Sequence, residues 1–368
     1  MNNHYQLIAN ELKIKYDQVK NSLDLLNSGA TVPFISRYRK EATGSLDEVM
    51  ITQIRDLYQK WVELDKRRAA IIDSITEQGK MTPQLQAQLE ASTTLSQLED
   101  IYLPYRPKRK TRATVAIDKG LEPLAKLIFK QQFIDLKKTA QSYINQSKEV
   151  NNIEEALQGA RDIIAEWISE DINVRSTLRE KFVRNSTIYS RVIKGKEDAG
   201  SKFEIYFKSE EPLWKAPSHR VLAMLRGEEE GFLKITIKPQ DELALNLIQK
   251  FTVKGNNSCS QQVILAGEDS YKRLLQPQME TEMRRFYKEK ADKEAIRVFG
   301  TNLRQLLMSA PLGQKTTLAI DPGFRTGCKV VVLDRQGQLL DHDTIFPHPP
   351  HNEYQKSSDL LKKWVHQY

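Results

Sequence analysis

Through the first half of this chain apolar residues recur every three or four positions, the spacing that lines one face of an α-helix. Tyr16, Val19, Leu23 and Leu26 make one such stripe, and Gly29 follows it where a helix most easily turns off. A second stripe runs through Leu46, Met50, Ile54, Leu57, Trp61, Leu64, Ile71 and Ile75. Ahead of it Ser45-Leu-Asp-Glu48 reads as a capping box, in which the serine oxygen and the glutamate each satisfy an orphan amide. The pattern predicts one helix running to about Gln78, roughly 50 Å long at 1.5 Å per residue. Thr82-Pro83 opens the next helix, and Asn152 with Glu155 caps one whose stripe is Ile153, Leu157, Ala160, Ile164 and Trp167.

The period changes after Phe182. Thr187–Ile193 and Phe232–Ile237 read as strands, separated by a short helix that Pro217-Ser218 opens. A second helical block runs from about Asp241 to Met308, with Leu275, Met279, Met283 and Phe286 on its apolar face, and Ala310-Pro-Leu-Gly-Gln314 reads as a linker. Thr316–Ile320 then has the β-branched, apolar character of a buried strand, ended by Asp321. Pro322-Gly323 supplies a turn, Lys329–Leu333 the returning strand, and Gln338–Thr344 a third after the Asp334-Arg-Gln-Gly337 turn. A carboxylate at the end of a first strand that turns straight back is how an RNase H-like domain opens. No internal repeat or low-complexity tract is visible.

Composition narrows the class without choosing a function. A chain of 368 residues with 39% hydrophobic and 28% charged residues suits a soluble protein of two or three domains. Its net charge of +8 favours a polyanionic partner. Cys259 and Cys328 stand far apart without a CxxC spacing, as expected of reduced thiols in a cytoplasm. The N-terminal segment lacks the apolar core of a secretory leader, and no run approaches the roughly 20 apolar residues of a membrane span. A cytoplasmic protein without membrane contact is expected.

The densest cationic run is Arg106, Lys108, Arg109, Lys110 and Arg112, preceded by Tyr102 and Tyr105. Prolines on both sides of Tyr105 make it a loop, which can contact phosphates and stack bases, or equally serve as partner to acidic helix ends. Arg37, Arg39 and Lys40 form a second candidate cluster, in an interval between two helices that has a helix-turn-helix flavour. Gly29 to Gly44 is long for the usual three- to four-residue turn, and a packed corner is the better reading. Asp321 is the one residue with catalytic potential. A single carboxylate does not make a two-metal site, because Mg²⁺ takes several hard oxygen ligands, so Asp321 reads as structural or vestigial. Asp334 lies at the far turn, and Asp341 and Asp343 lie on the third strand. His342, His348 and His351 fit no ligand spacing beside Pro347, Pro349 and Pro350. The Walker, GxGxxG, GxSxG and HExxH patterns are all missing, so no nucleotide, metal or other cofactor is expected.

The stretch Asp321-Pro-Gly-Phe-Arg-Thr-Gly-Cys-Lys329 with its flanking strands resembles the YqgF domain of the Tex family of bacterial transcription accessory proteins. Gly29-Ala-Thr-Val-Pro-Phe-Ile-Ser-Arg-Tyr-Arg-Lys-Glu41, Leu98–Ala113, His219–Gly231 and Ala291–Leu307 are similar to that family in the same order. The resemblance implies a mainly α fold: an elongated multi-helix N-terminal scaffold over residues 1–195, a central mixed segment over 196–310, and an incomplete α/β RNase H-like (YqgF) domain over 315–368. Complete members continue through helix-hairpin-helix motifs and an OB-type RNA-binding domain, and Tyr368 is expected to fall one helix into YqgF. The function implied is a non-enzymatic transcription accessory factor. Its partners would be RNA or single-stranded DNA, held weakly and without sequence preference, and RNA polymerase or ribosome-associated transcription machinery. The alternatives are a metal-dependent RNase H-like nuclease or junction resolvase using Asp321, and a pure protein-interaction scaffold.

Overall fold

The computed structural model describes residues 2–107, 110–323 and 326–368. It forms two compact units, one up to Asp292 and one from Lys293 onward, with the boundary inside a long helix. The first unit opens with α1 (Asn2–Leu12), α2 (Tyr16–Asn27), α3 (Val32–Tyr38), α4 (Lys40–Thr43) and α5 (Glu48–Glu77). Two short helices, rather than a turn, fill the interval before α5. The long helix is present but its cap is not where the serine suggests. Gly44 and Ser45 both adopt left-handed backbone, at φ 62 each, and the N-cap becomes Asp47, whose carboxylate accepts from the Met50 amide at 2.7 Å. Glu48 is then free to accept from the Ser36 hydroxyl at 3.2 Å.

The 30 residues of α5 make a rod of about 45 Å that serves two apolar clusters. Ile51 and Ile54 pack with Ile8, Val19, Leu23 and Ile35. Further along, Leu64, Ile71 and Ile75 pack with Leu85, Leu89, Leu98 and Ile101 of α6 (Pro83–Ala91) and α7 (Leu95–Tyr102). Thr82 and Thr94 cap these two helices by accepting the Leu85 and Gln97 amides, the work their short side chains do best.

The largest core gathers α8 (Arg112–Asp118), α9 (Glu122–Lys130), α10 (Leu136–Gln141), α11 (Ile153–Glu170) and α12 (Ile172–Asn185). Asn152 caps α11 as its spacing predicts. The helix is buried more widely than one stripe, since Ala156, Ile163, Ala165 and Ile168 are covered as well. Its neighbours come close: a Cβ on Gly159 would sit 2.3 Å from Leu121 Cδ1. Beyond α12 come β1 (Thr187–Val192), β2 (Lys208–Pro212), α13 (Ser218–Glu229) and β3 (Leu233–Lys238), paired antiparallel in the order β2-β1-β3. The sequence indicates β1 and β3 but not β2, whose Lys-Ser-Glu-Glu-Pro run has no apolar alternation to reveal it.

After α14 (Asp241–Thr252) the chain is helical without a break from α15 (Ser258–Asp269), through a π-turn at Ser270–Leu275, to the end of α16 (Gln276–Leu307). Leu275, Met279 and Met283 are buried as expected, and Tyr287 and Ala291 continue the seam. Phe286 is 46% exposed, because a four-residue step from Met283 lands on Tyr287. This helix and α13 together shield the free edge of β3. The Ile235 and Ile237 amides donate to Glu228 and Glu280 at 3.0 Å each, and Arg284 donates to the Ile235 carbonyl, so the edge offers no template for another strand.

The second unit holds β4 (Thr317–Asp321), β5 (Cys328–Leu333), β6 (Leu339–Ile345) and α17 (Tyr354–Gln367). The three strands pair antiparallel in chain order, with Cys328, Val330, Val332, Ile345 and Trp364 as the core between sheet and helix. Helices dominate the chain, and this small α/β unit follows them. Among the described residues no helix is long and apolar enough to cross a membrane.

One buried polar network ties α7 to α12 and α16. Asp100, 4% exposed, accepts from Arg175 Nε at 2.6 Å and pairs with Arg179 at 2.8 Å. Arg179 also donates to Glu282 at 2.6 Å. Burial opposes the charge on Arg179, and its bonds to Asp100 and Glu282 outweigh that effect, so the guanidinium is held more firmly protonated than usual. Removing the carboxylate strands the buried Arg175 and leaves Arg179 with Glu282 alone. Asp100→Ala should therefore lower the unfolding free energy by about 3–5 kcal/mol, read as the midpoint shift in urea unfolding; a shift near zero would mean that water replaces the carboxylate without penalty.

Candidate nucleic-acid interface

The basic loop begins where α7 ends. Leu103–Tyr105 continues as a single 3₁₀ turn, and Pro107 keeps the chain from extending the helix. Arg106, Lys110 and Arg112 are exposed, Arg112 as the first residue of α8. Lys108 and Arg109 lie outside the described residues. Thr111 caps α8, accepting the Thr114 amide at 3.1 Å, and its hydroxyl reaches Glu166 Oε2 at 3.0 Å.

The neighbouring tyrosines do not form a stacking platform. Tyr102 is buried, with its hydroxyl 3.0 Å from Ser74 Oγ and the Arg67 guanidinium 5.5 Å from its ring. Tyr105 packs against the same α5–α7 cluster, and its carbonyl accepts from Gln78 at 2.8 Å. Tyr102 is committed to the core and Tyr105 is half-buried against it, which weakens the base-stacking part of the expectation for this loop.

Arg106 and Arg112 line a cleft of about 590 Å³ whose opposite wall carries Glu166 and Glu170 of α11, with Arg273 beside them. The cleft is therefore of mixed charge. One turn before Glu166, Asp162 accepts from Gln158 at 3.2 Å and lies 3.8 Å from Arg273. Burial pushes its carboxyl above the usual range, against the opposing pull of Gln158, Arg273 and the field of Arg112. Arg106 and Arg112 thus share their cleft with two carboxylates, which moderates their outward field, while Thr111 ties the loop to α11 through Glu166.

The second cationic cluster lies on α3, α4 and their junction, supported by a different apolar cluster from the loop. Arg37 pairs with Glu48 at 3.3 Å, the Arg39 guanidinium is 5.5 Å from the Phe34 ring, and Lys40 is exposed.

Register decides what Asp321 can meet. Asp321 is opposite Lys329, which is opposite Thr344, whereas Asp341 is opposite Val332 and Asp343 opposite Val330. Directly paired residues share a face, and Val330 and Val332 face the core. Asp321 consequently projects from the other face, away from Asp341 and Asp343. Asp334 accepts from the Gln336 and Gln338 amides at 2.8 Å each and shapes the distant turn. His351 packs against Phe346, with centroids 4.8 Å apart. Among the described residues no group of three His, Cys, Asp or Glu side chains could hold a metal ion.

A helical scaffold that leads through a small sheet and a long helix into a strand–turn–strand unit opened by an aspartate defines a class, the helix-rich proteins carrying a YqgF-like module. Family models match it piece by piece: a Tex-like protein N-terminal domain at residues 2–76, a Tex central region-like segment at 132–299 and a Tex protein YqgF-like domain at 315–368. The chain belongs to the Tex family. It is 43% identical to the uncharacterized protein YdcI of Bacillus subtilis, over 99% of this chain and 51% of that protein. It is 39% identical to the transcriptional accessory protein Tex of Neisseria gonorrhoeae, over 97% of this chain and 48% of that protein. It is also 27% identical to human S1 RNA-binding domain-containing protein 1, over 93% of this chain and 36% of that protein. The chain spans about half the length of its bacterial relatives.

The raised carboxyl of Asp162 gives a signed pH dependence. The unfolded carboxyl ionises near pH 3.9 and the folded one at higher pH, so stability falls as pH rises through that window, and the full penalty is present above it. Asp162→Asn removes the penalty. The variant should melt above the parent at pH 7, with the gap closing toward pH 4; a variant that melts lower at pH 7 would show that the pairing with Arg273 outweighs burial.

Proposed function

We propose that this chain is a non-enzymatic, nucleic-acid-binding part of a cytoplasmic transcription accessory factor, making sequence-independent contacts to RNA or single-stranded DNA and protein contacts with the transcription machinery. The observation that carries the reading is the exposed run Arg106, Lys110 and Arg112 on a proline-bounded loop, in a family one of whose members is a transcriptional accessory protein. A relative named for an S1 RNA-binding domain supports nucleic acid as the ligand class. The net charge of +8 adds long-range attraction for a polyanion. Because phosphate contacts carry no base information, the loop gives binding without specificity. Arg37, Arg39 and Lys40 are the second phosphate contact in this reading. The carboxylate wall behind the loop favours weak binding, and RNA polymerase or ribosome-associated assemblies are the proposed protein partners.

Asp321 is assigned no catalytic role. Its separation from Asp341 and Asp343 by the pleat of the sheet leaves it a lone carboxylate, which argues against the two-metal nuclease reading.

The binding reading is tested by anisotropy with a labelled single-stranded RNA across a salt series. Changing Arg106, Lys108, Arg109, Lys110 and Arg112 together to Ala should weaken binding and flatten the log–log salt slope by about 0.7 for each phosphate lost. An unchanged slope would remove the loop from the interface and favour a protein-interaction scaffold.

The non-enzymatic reading predicts that plasmid, four-way junction and RNA substrates stay intact with excess protein and Mg²⁺ or Mn²⁺. Cleavage that disappears in Asp321→Asn would replace it with a metal-dependent nuclease.

A further inference from the structure

The central sheet carries a cationic row that the chain order conceals. Arg191 on β1 is directly opposite Lys208 on β2 and directly opposite Lys234 on β3. Residues paired in this way share a face, so three cations from positions up to 43 apart stand side by side. Adjacent strands are about 4.8 Å apart, and the row spans roughly twice that distance. All three side chains are exposed, and none has an ion-pair or hydrogen-bond partner among the described residues.

Like charges directly opposite one another in a sheet oppose folding, and carboxylates that might relieve them are close in the fold but engaged elsewhere. Glu228 and Glu280 hold the edge amides of β3, and Asp241 holds Lys238 at 2.9 Å. The next row along the same face is Tyr189, Glu210 and Thr236. Glu210 is the one carboxylate among the paired residues of this face, and Lys238, paired with Thr187 in the row beyond, is taken by Asp241, so three unpaired cations face one anion. Tyr189 offers an aromatic ring two residues from Arg191, and at the far end of β2 Trp214 is 56% exposed with the Lys215 ammonium 4.7 Å from its ring. Lys194 and Lys196 extend the charge into the turn after β1.

We propose that the open face of the β2-β1-β3 sheet is a binding platform for single-stranded nucleic acid, in which Arg191, Lys208 and Lys234 neutralise consecutive backbone phosphates and Tyr189 stacks on a base. A flat sheet with cations and aromatics at alternate positions suits a strand whose bases are unstacked. The site is separate from the α7–α8 loop; Asp241 and Glu242 line a cavity with Tyr189 and Lys238, and Asp241 is taken by Lys238.

The test uses the full chain and a 5′-fluorescein oligouridylate of fifteen nucleotides, with anisotropy read across a salt series. The triple variant Arg191→Gln, Lys208→Gln, Lys234→Gln should lose about 2 from the log–log slope, three phosphates at about 0.7 each. Its melting temperature should hold or rise, since a repulsive row has been neutralised. Tyr189→Ala should weaken binding while keeping the slope. The loop variant with all five cations changed to Ala is measured in parallel, so that each surface succeeds or fails alone. A triple-variant slope equal to that of the parent overturns the proposal, as does the lack of measurable binding by the parent at low salt. Displacement by poly-glutamate as efficient as by unlabelled oligouridylate would also overturn it, in favour of an acidic protein partner.

Discussion

The first unit depends on one carboxylate that is almost out of reach of water. Asp100 sits on α7, which belongs to the cluster around the far half of α5, and its partners Arg175 and Arg179 sit on α12, which belongs to the largest core. Glu282 on α16 completes the network through Arg179, and Ser96 Oγ reaches the same glutamate at 3.3 Å. Apolar packing is tolerant of small slips between neighbouring clusters, whereas charged hydrogen bonds in a low-dielectric site hold only at defined distances and angles. The network therefore fixes how α7 meets α12 and α16. The basic loop starts three residues after α7, so its position relative to α11 inherits that geometry.

Charge is handled differently at the three cationic surfaces. At the loop, cations face carboxylates on α11 across a cleft, and the result is a local dipole more than a basic patch. Around α3 and α4, Arg37 is half neutralised by Glu48 and Arg39 lies against an aromatic ring. On the central sheet Arg191, Lys208 and Lys234 lack side-chain partners among the described residues. The carboxylates of that region serve backbone amides at the edge of β3, where an unsatisfied donor would be more harmful than an unneutralised cation exposed to water. The sheet thus presents three cations side by side on a flat backbone surface.

Much of the fold was legible because helices advertise themselves through local spacing. The stripe from Leu46 to Ile75 anticipated α5, Thr82-Pro83 and Asn152 marked two helix starts, and the strand–turn–strand pattern around Asp321 matched β4 and β5. Failures came where a neighbour competed for a side chain or a backbone state. Ser45 lost its capping role once Gly44 and Ser45 turned left-handed, and Phe286 gave up its place in the seam to Tyr287. β2 passed unnoticed because a polar edge strand has no apolar period. In the basic loop, Arg106, Lys110 and Arg112 proved exposed as their loop implied, while Tyr102 proved to be core and Tyr105 half-buried against it.

By itself the sequence determined the helical scaffold, the family and the lone position of Asp321 at a strand end, because each is written in spacing along the chain. Only the tertiary structure decided which charges meet. Asp100 and Arg175 are 75 positions apart, Arg179 and Glu282 are 103 apart, and the row of Arg191, Lys208 and Lys234 exists only through strand register. Periodicity is a local property that short-range sterics and burial impose on neighbouring residues. Ion pairs and cross-strand rows depend on chain reversals whose outcome no short window of sequence contains, so the electrostatic surface of this protein belongs to its fold.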